Sequence, residues 1–348
     1  MKNAANFCIV TVAIITTLVI GKGILIPFVF ALIFWFLTRE IRKAIYKLPF
    51  AKKYIPKWLS NLLVFTIVIL TFGFISEILA SSITNLTNSY SKYEPNIEKI
   101  ISEFSTFFHV DITKSIKSIA GNFNYGLWLG NIANSISALL SNTFMIIIYA
   151  LFIFLEENSF ISKLHKIFTE KANYQNIQNT LKKIEFSISN YLRLKTYVSL
   201  LTGILSYFVL RFVGVDAAPF WAFLIFLLNY IPTIGSLVAT IFPAVFCLIQ
   251  FGAFTPFLIV LIAVGFVQII VGNIIEPRLF GKSLNLSPLV TILSLAIWGK
   301  IWGITGMILS VPITVIMMIV FSQIKNTQSI AIMLSENGEI NEITNKEL

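Results

Sequence analysis

Residues 265–312 read GFVQIIVGNIIEPRLFGKSLNLSPLVTILSLAIWGKIWGITGMILSVP, and the fold turns on where this stretch is placed. Its polar members Gln268, Asn273, Glu276, Arg278, Lys282 and Ser283 stand among Pro277, Gly281 and Pro288. Apolar runs flank them, Phe254–Ile275 on one side and Leu289–Trp298 and Ile304–Phe321 on the other. A carboxylate, a guanidinium and an amide are costly in lipid, so in such a setting they face a cavity or a path. A smaller knot of the same kind spans Asn229–Ser236, read as Asn-Tyr-Ile-Pro-Thr-Ile-Gly-Ser.

The rest of the chain matches. Of 348 residues, 57% are hydrophobic and 12% charged, where a soluble chain carries roughly 25% charged. The net charge is +10. Its bases gather in two stretches between apolar runs, which is the positive-inside pattern of a membrane protein rather than a nucleic-acid face. Cys8 and Cys247 lie far apart in apolar runs, and His109 and His165 stand alone, so neither a disulfide nor a metal site is expected. No nucleophile elbow, Walker A loop or zinc-protease motif occurs, so no catalytic residue and no cofactor is expected. Any transport would draw on a gradient.

Working outward, the expected class is all-α and polytopic, with about eight transmembrane helices and interrupted or re-entrant segments in the C-terminal half. Residues 1–84 hold two apolar runs broken at Gly21-Lys22-Gly23, then Arg39, Arg42, Lys43, Lys47, Lys52, Lys53 and Lys57 against Glu40, then a third span with Glu77. The two runs are read as a hairpin of two spans, with one kinked helix as the alternative. The basic loop is assigned to the cytoplasm, and with it both termini. Residues 85–137 balance their charges and repeat Ile97, Ile100, Ile101 and Phe104 at helical spacing, as an amphipathic outer region would. Residues 138–195 hold a fourth span and a basic amphipathic helix carrying Ile177, Leu181, Ile184, Ile188 and Tyr191. Residues 196–324 form a core of interrupted helices, and residues 325–348 a polar, mobile cytoplasmic tail.

The two knots share a grammar: Asn229, Pro232, Gly235 and Ser236 against Asn273, Pro277, Gly281 and Ser283. Proline ends a helix and frees carbonyls, which in an apolar setting need partners. Interrupted hydrophobic segments of this sort point to a transporter's binding site. Pro288, Gly303, Gly306 and Pro312 mark further breaks, Gly303 and Gly306 within a hairpin or kinked pair of apolar arms. Gln268, Asn273, Glu276, Arg278, Asn229 and Ser236 are the candidate solute- or ion-contacting residues. Glu276 closes its apolar run where the helix dipole disfavours an anion, so a cation should lie beside it, and Arg278 is the candidate.

The run Asn229–Ser236, the Gln268…Asn273…Glu276-Pro277 element, the Gly281–Pro288 link and the Gly303-Ile-Thr-Gly306-Met307…Val311-Pro312 ending together resemble the autoinducer-2 exporter (AI-2E) family, also known as PerM-like permeases. The likeness covers nearly the whole chain and is most specific in its C-terminal half. It implies a multi-pass permease of the bacterial inner membrane exporting a small polar solute, with sodium–proton exchange as the other activity linked to the family. The expected partners are the lipid bilayer, a small polar solute, H+ or Na+, and further copies of the chain, but no nucleic acid. A cation/proton antiporter and a non-transporting membrane scaffold remain as alternatives.

Overall fold

The computed structural model describes residues 2–46, 57–108, 143–168, 171–281 and 285–339. Among these residues the chain is helical throughout, with a single isolated antiparallel bridge between Leu286 and Ser335. The helices are α1 (Lys2–Ile20), α2 (Lys22–Tyr46), α3 (Lys57–Asn88), α4 (Tyr90–Phe108), α5 (Thr143–Ile167), α6 (Lys171–Val213), α7 (Ala218–Leu228), α8 (Ile234–Phe251), α9 (Phe254–Ile270), α10 (Glu276–Phe280), α11 (Pro288–Ser322) and α12 (Gln328–Leu334), with a π-turn at Val271–Ile275 between α9 and α10. Among the described residues, five segments are long and apolar enough to cross a membrane: Lys22–Arg42, Tyr174–Val213, Ile234–Phe251, Phe254–Phe280 and Pro288–Ser322, with shorter apolar helices at Ile9–Ile20 and Ala218–Leu228. The chain is thus an all-α, multi-pass membrane protein. The second half of the outer amphipathic region, from His109 to Ser137, lies outside the described residues.

Contacts divide the chain into two units. The first comprises Met1–Val64, Asn142–Leu194 and Phe280–Leu348. Here two expectations of the sequence reading need correction, and the junction at Gly21–Gly23 is reduced to Gly21 alone between α1 and α2. The Leu18 carbonyl at this junction accepts a hydrogen bond from the Trp302 indole at 2.9 Å, and Leu18, Leu25, Val29 and Ile33 pack on Trp298 and Trp302. Arg39, Glu40 and Arg42 belong to helix α2 rather than to a loop. Arg39 pairs with Glu185 at 3.0 Å and with Glu157 at 3.8 Å, Arg42 with Glu157 at 3.8 Å, and Glu40 with Arg193 at 3.7 Å. A count of positive charge does not reveal these partners. Residues 325–339 of the tail, finally, are docked rather than free. Ser287 donates its amide to Leu334, Glu336 donates to Asn285, and the Asn285 side chain donates to Glu339.

Helix α11 contains the expected break. Gly303 has φ 62° and ψ −143°, a conformation open chiefly to glycine. The arms fold back there, since a methyl group on Gly306 would overlap the Trp298 carbonyl and one on Gly299 would press on Met307. A helical hairpin therefore stands where Gly299, Gly303 and Gly306 interrupt the apolar sequence.

The second unit comprises Phe65–Ser141 and Lys195–Leu279. Its apolar core joins Leu79 and Leu86 of α3, Leu210 of α6, Phe220, Trp221 and Ile225 of α7, Ala239 and Ala244 of α8, and Val260 and Val264 of α9. Helix α4 is fastened at one end of this unit. Tyr93 donates to Asp216 at 2.7 Å, Asn96 donates to the Gln250 carbonyl at 2.6 Å, and the Gln250 side chain bridges the Asp216 amide and the Gly214 carbonyl. Burial, and then the Asp216 carboxylate, push the Tyr93 hydroxyl well above its usual range, so it remains a donor at physiological pH.

Close backbone approach at the hairpin can be tested with glycine substitutions. Gly306→Ala should lower the melting midpoint in detergent by several degrees, an overpacking cost of about 1–3 kcal/mol. Gly73→Ala, with nothing within 4 Å of the new methyl group, should leave the midpoint unchanged or raise it.

Candidate functional site

The site begins with a helix whose amphipathicity is reversed. Within α6, Lys195, Ser199, Thr202 and Ser206 recur at steps of four, three and four, which places them on one face. That face is the buried one: Lys195 is 5% exposed and the three hydroxyl residues 0%. Tyr197, Leu200, Ile204, Leu205 and Phe208 cover the opposite, exposed face. Polar inside and apolar outside is what a helix needs when its surroundings are lipid and its neighbours line a path. The sequence reading ended the amphipathic helix at Lys195 and began a span at Thr196. Instead α6 runs unbroken for 43 residues, about 65 Å.

Gly203 sets the neighbouring wall. Its missing side chain lets α6 approach the Ala222 carbonyl and Phe226 of α7 closely. One to two turns further along, this brings the first knot onto the polar face. The Asn229 side chain, 7% exposed, donates to the Ser199 hydroxyl at 3.1 Å, and the Tyr230 and Thr196 hydroxyls share a hydrogen bond of 2.7 Å. The turn after Asn229 is a tight reversal. Ile234 donates its amide to the Pro232 carbonyl across Thr233, which has φ 57° and ψ −60°. This is the strained, positive-φ form of a γ-turn, on a β-branched residue. Gly235 lies against the Leu228 carbonyl with no room for a methyl group. Ser236 is half-buried and donates to the Thr233 carbonyl, so it fastens the turn.

The second knot is built differently. Pro277 does not end the helix, and the chain stays helical from Phe254 to Phe280 by way of the π-turn. The Glu276 amide donates to Val271, five residues back. A proline ring clashes with the carbonyl four residues before it, and the wider turn provides the room. The extra residue also sets register. Val260, Val264, Gln268 and Val271 form the buried stripe of this helix, spaced four, four and three. In a plain α-helix Ile275 would come next on that stripe; the π-turn puts Glu276 there instead. The two knots, alike in sequence, thus differ in backbone.

Glu276 does have a cation, but Arg278 is not the one. The Lys195 ammonium lies 2.5 Å from the Glu276 carboxylate, and the two side chains are 6% and 26% exposed. Because the helix continues through Pro277, residues two apart point to different sides and Arg278 is exposed. The seam therefore combines Lys195, Ser199, Thr202 and Ser206 with Asn229 and Glu276. Gln268, on the Glu276 stripe, is 9% exposed, and its side-chain nitrogen finds no hydrogen-bond partner among the described residues; the same is true of the Ser206 hydroxyl and the Trp221 indole. Buried donors of this kind are costly unless something binds to them. Of the expected residues, Asn229 and Glu276 are brought together and Gln268 lies on the same buried stripe, Ser236 supports the turn, and Asn273 and Arg278 are exposed elsewhere. Lys282 and Ser283 lie outside the described residues. Lys195 was missed, although a four-three-four polar stripe within an apolar run is a readable signal.

A multi-pass helical fold with a buried polar seam, broken helices and glycine-fitted hairpins defines a membrane transporter. Comparison with known sequences agrees, since residues 8–326 match the family described as AI-2E family transporter, and the chain belongs to it. It is 29% identical to a Haemophilus influenzae protein described as a transport protein, over 97% of this chain and 99% of the other. It is 32% identical to the AI-2 transport protein TqsA of Escherichia coli, over 81% of this chain and 82% of the other. A more distant relative is a sodium-lithium/proton antiporter of Halobacillus andaensis, 25% identical over 67% of this chain and 65% of the other.

The register argument has a direct test. Lys195→Gln and Glu276→Gln should each lower stability by about 3 kcal/mol, with the double variant losing less than the sum. Inserting one alanine after Ile274 should turn Glu276 off the stripe and erase that coupling, whereas deleting Ile274, which leaves Glu276 four residues after Val271 in a plain α-helix, should preserve it; a double-mutant cycle of melting midpoints in each background would reveal both.

Proposed function

We propose that this chain is a gradient-driven exporter of a small polar solute in the bacterial inner membrane, both termini cytoplasmic, and that the seam on α6 is its path. The observation that carries this reading is the reversed α6, with a buried polar face and an exposed apolar one. Gln268, Ser206 and Trp221 supply hydrogen-bond donors that a hydroxyl- or carbonyl-bearing solute would satisfy. Asn229 and Ser199 line the way between them and the Lys195–Glu276 pair. The tight turn at Thr233 and the hairpin at Gly303 are the elements suited to move. Likeness to TqsA makes an autoinducer-2-like molecule the first solute to try.

A second reading is favoured by Glu276 itself. Its carboxylate is a quarter exposed and lies among hydroxyl-bearing residues of the seam. On that reading the chain is a sodium- or other cation/proton antiporter, as the Halobacillus relative's name suggests.

Purified protein in liposomes, under imposed proton and sodium gradients, separates these readings. Autoinducer-2 flux that follows the proton gradient, and falls at least about tenfold in Glu276→Gln, supports the exporter. Sodium flux without solute flux supports the antiporter. Absence of any gradient-dependent flux would leave the scaffold reading.

A further inference from the structure

We propose that Lys195 is a tethered counter-ion that keeps small cations off Glu276 and so sets the seam's specificity for uncharged solute. The inference deepens the exporter reading and rests on the seam being the transport path. Its basis is the unequal burial of the pair. The ammonium is almost wholly enclosed, while the carboxylate it holds retains an open side. A cation entering from that side meets an oxygen already occupied by a charge that cannot diffuse away. No other charged residue lies on α6 from Thr196 to Leu210, about 24 Å between Lys195 and Arg211. Arg278, two residues from Glu276, is exposed.

Hard oxygen donors are present for a cation once the ammonium is gone. Ser199 lies one helical turn from Lys195 on the same face and is joined to Asn229. The neighbouring Thr196 hydroxyl is joined to the Tyr230 hydroxyl. Carboxylate, hydroxyl and amide oxygens suit Na+ and Li+ as hard ions. With Lys195 in place the pair is neutral as a unit and the seam favours a neutral guest. Without it the seam carries one uncompensated negative charge.

The test reads cation binding rather than flux. Wild type, Lys195→Gln, Lys195→Met and Lys195→Gln/Glu276→Gln are purified in detergent. Their melting midpoints are measured in sodium, lithium and choline chloride at one ionic strength. Wild type should show no difference among the salts. Both single variants should gain about 3 °C or more in sodium or lithium over choline, because an ion that binds only the native state stabilises it. The double variant should lose that gain. A wild type already stabilised by sodium or lithium would overturn the proposal, as would folded single variants indifferent to the salt. So would single variants that are unfolded in every salt, because the ammonium would then be structural only. Failure of the exporter reading appears separately, as missing solute flux in liposomes with the cation response intact.

Discussion

The ion pair between Lys195 and Glu276 constrains everything around it in the second unit. A buried ammonium left alone costs several kcal/mol, so the helix that carries Lys195 must be held where a carboxylate can reach it. That carboxylate arrives on a different helix, 81 residues away in sequence. Its register depends on one additional residue in the π-turn at Val271–Ile275, and the turn in turn suits the proline at 277. The close approach at Gly203 then brings Asn229 to Ser199. Each of these features makes sense only with the others, and together they produce a polar seam inside an apolar shell.

Reversed amphipathicity is the physical link from this packing to transport. In water α6 would turn its hydroxyls outward; here it turns Leu200, Ile204 and Phe208 outward and keeps Ser199, Thr202 and Ser206 inside. Hydroxyls inside a lipid-embedded bundle cannot be explained by solubility. Some satisfy themselves locally, as Thr202 does by donating to the Val198 carbonyl. Ser206 and Gln268 do not do so among the described residues. A seam that is partly self-satisfied and partly in need of a guest suits a path with a binding place along it.

Much of this was legible in the sequence, for identifiable reasons. The membrane fold followed from apolar runs and scarce charge. The breaks at Pro232–Thr233 and at Gly303 followed because glycine and proline have few other uses in such runs. Asn229, Gln268 and Glu276 stood out as polar groups where lipid forbids them. What escaped was relational. Lys195 escaped because a tally of charge ignores which face of a helix bears it. Arg278 was chosen as partner because Pro277 was expected to stop the helix, and sequence does not show that a wider turn can carry a helix past a proline. The docking of residues 325–339 depends on backbone hydrogen bonds, Ser287 donating to the Leu334 carbonyl and Glu336 to the Asn285 carbonyl, which have no side-chain signature.

The central claim is that the polar face of α6 lines a water-accessible path. Single cysteines placed at each position from 196 to 208, with Cys8 and Cys247 replaced by serine, can be exposed to a membrane-impermeant thiol reagent. Reaction requires the thiolate, which forms in water and not in lipid. The account predicts labelling at Ser199, Thr202 and Ser206 and none at Leu200, Ile204 and Leu205, with solute slowing the reaction. Uniform labelling around the helix, or silence at the three hydroxyl positions, would contradict it.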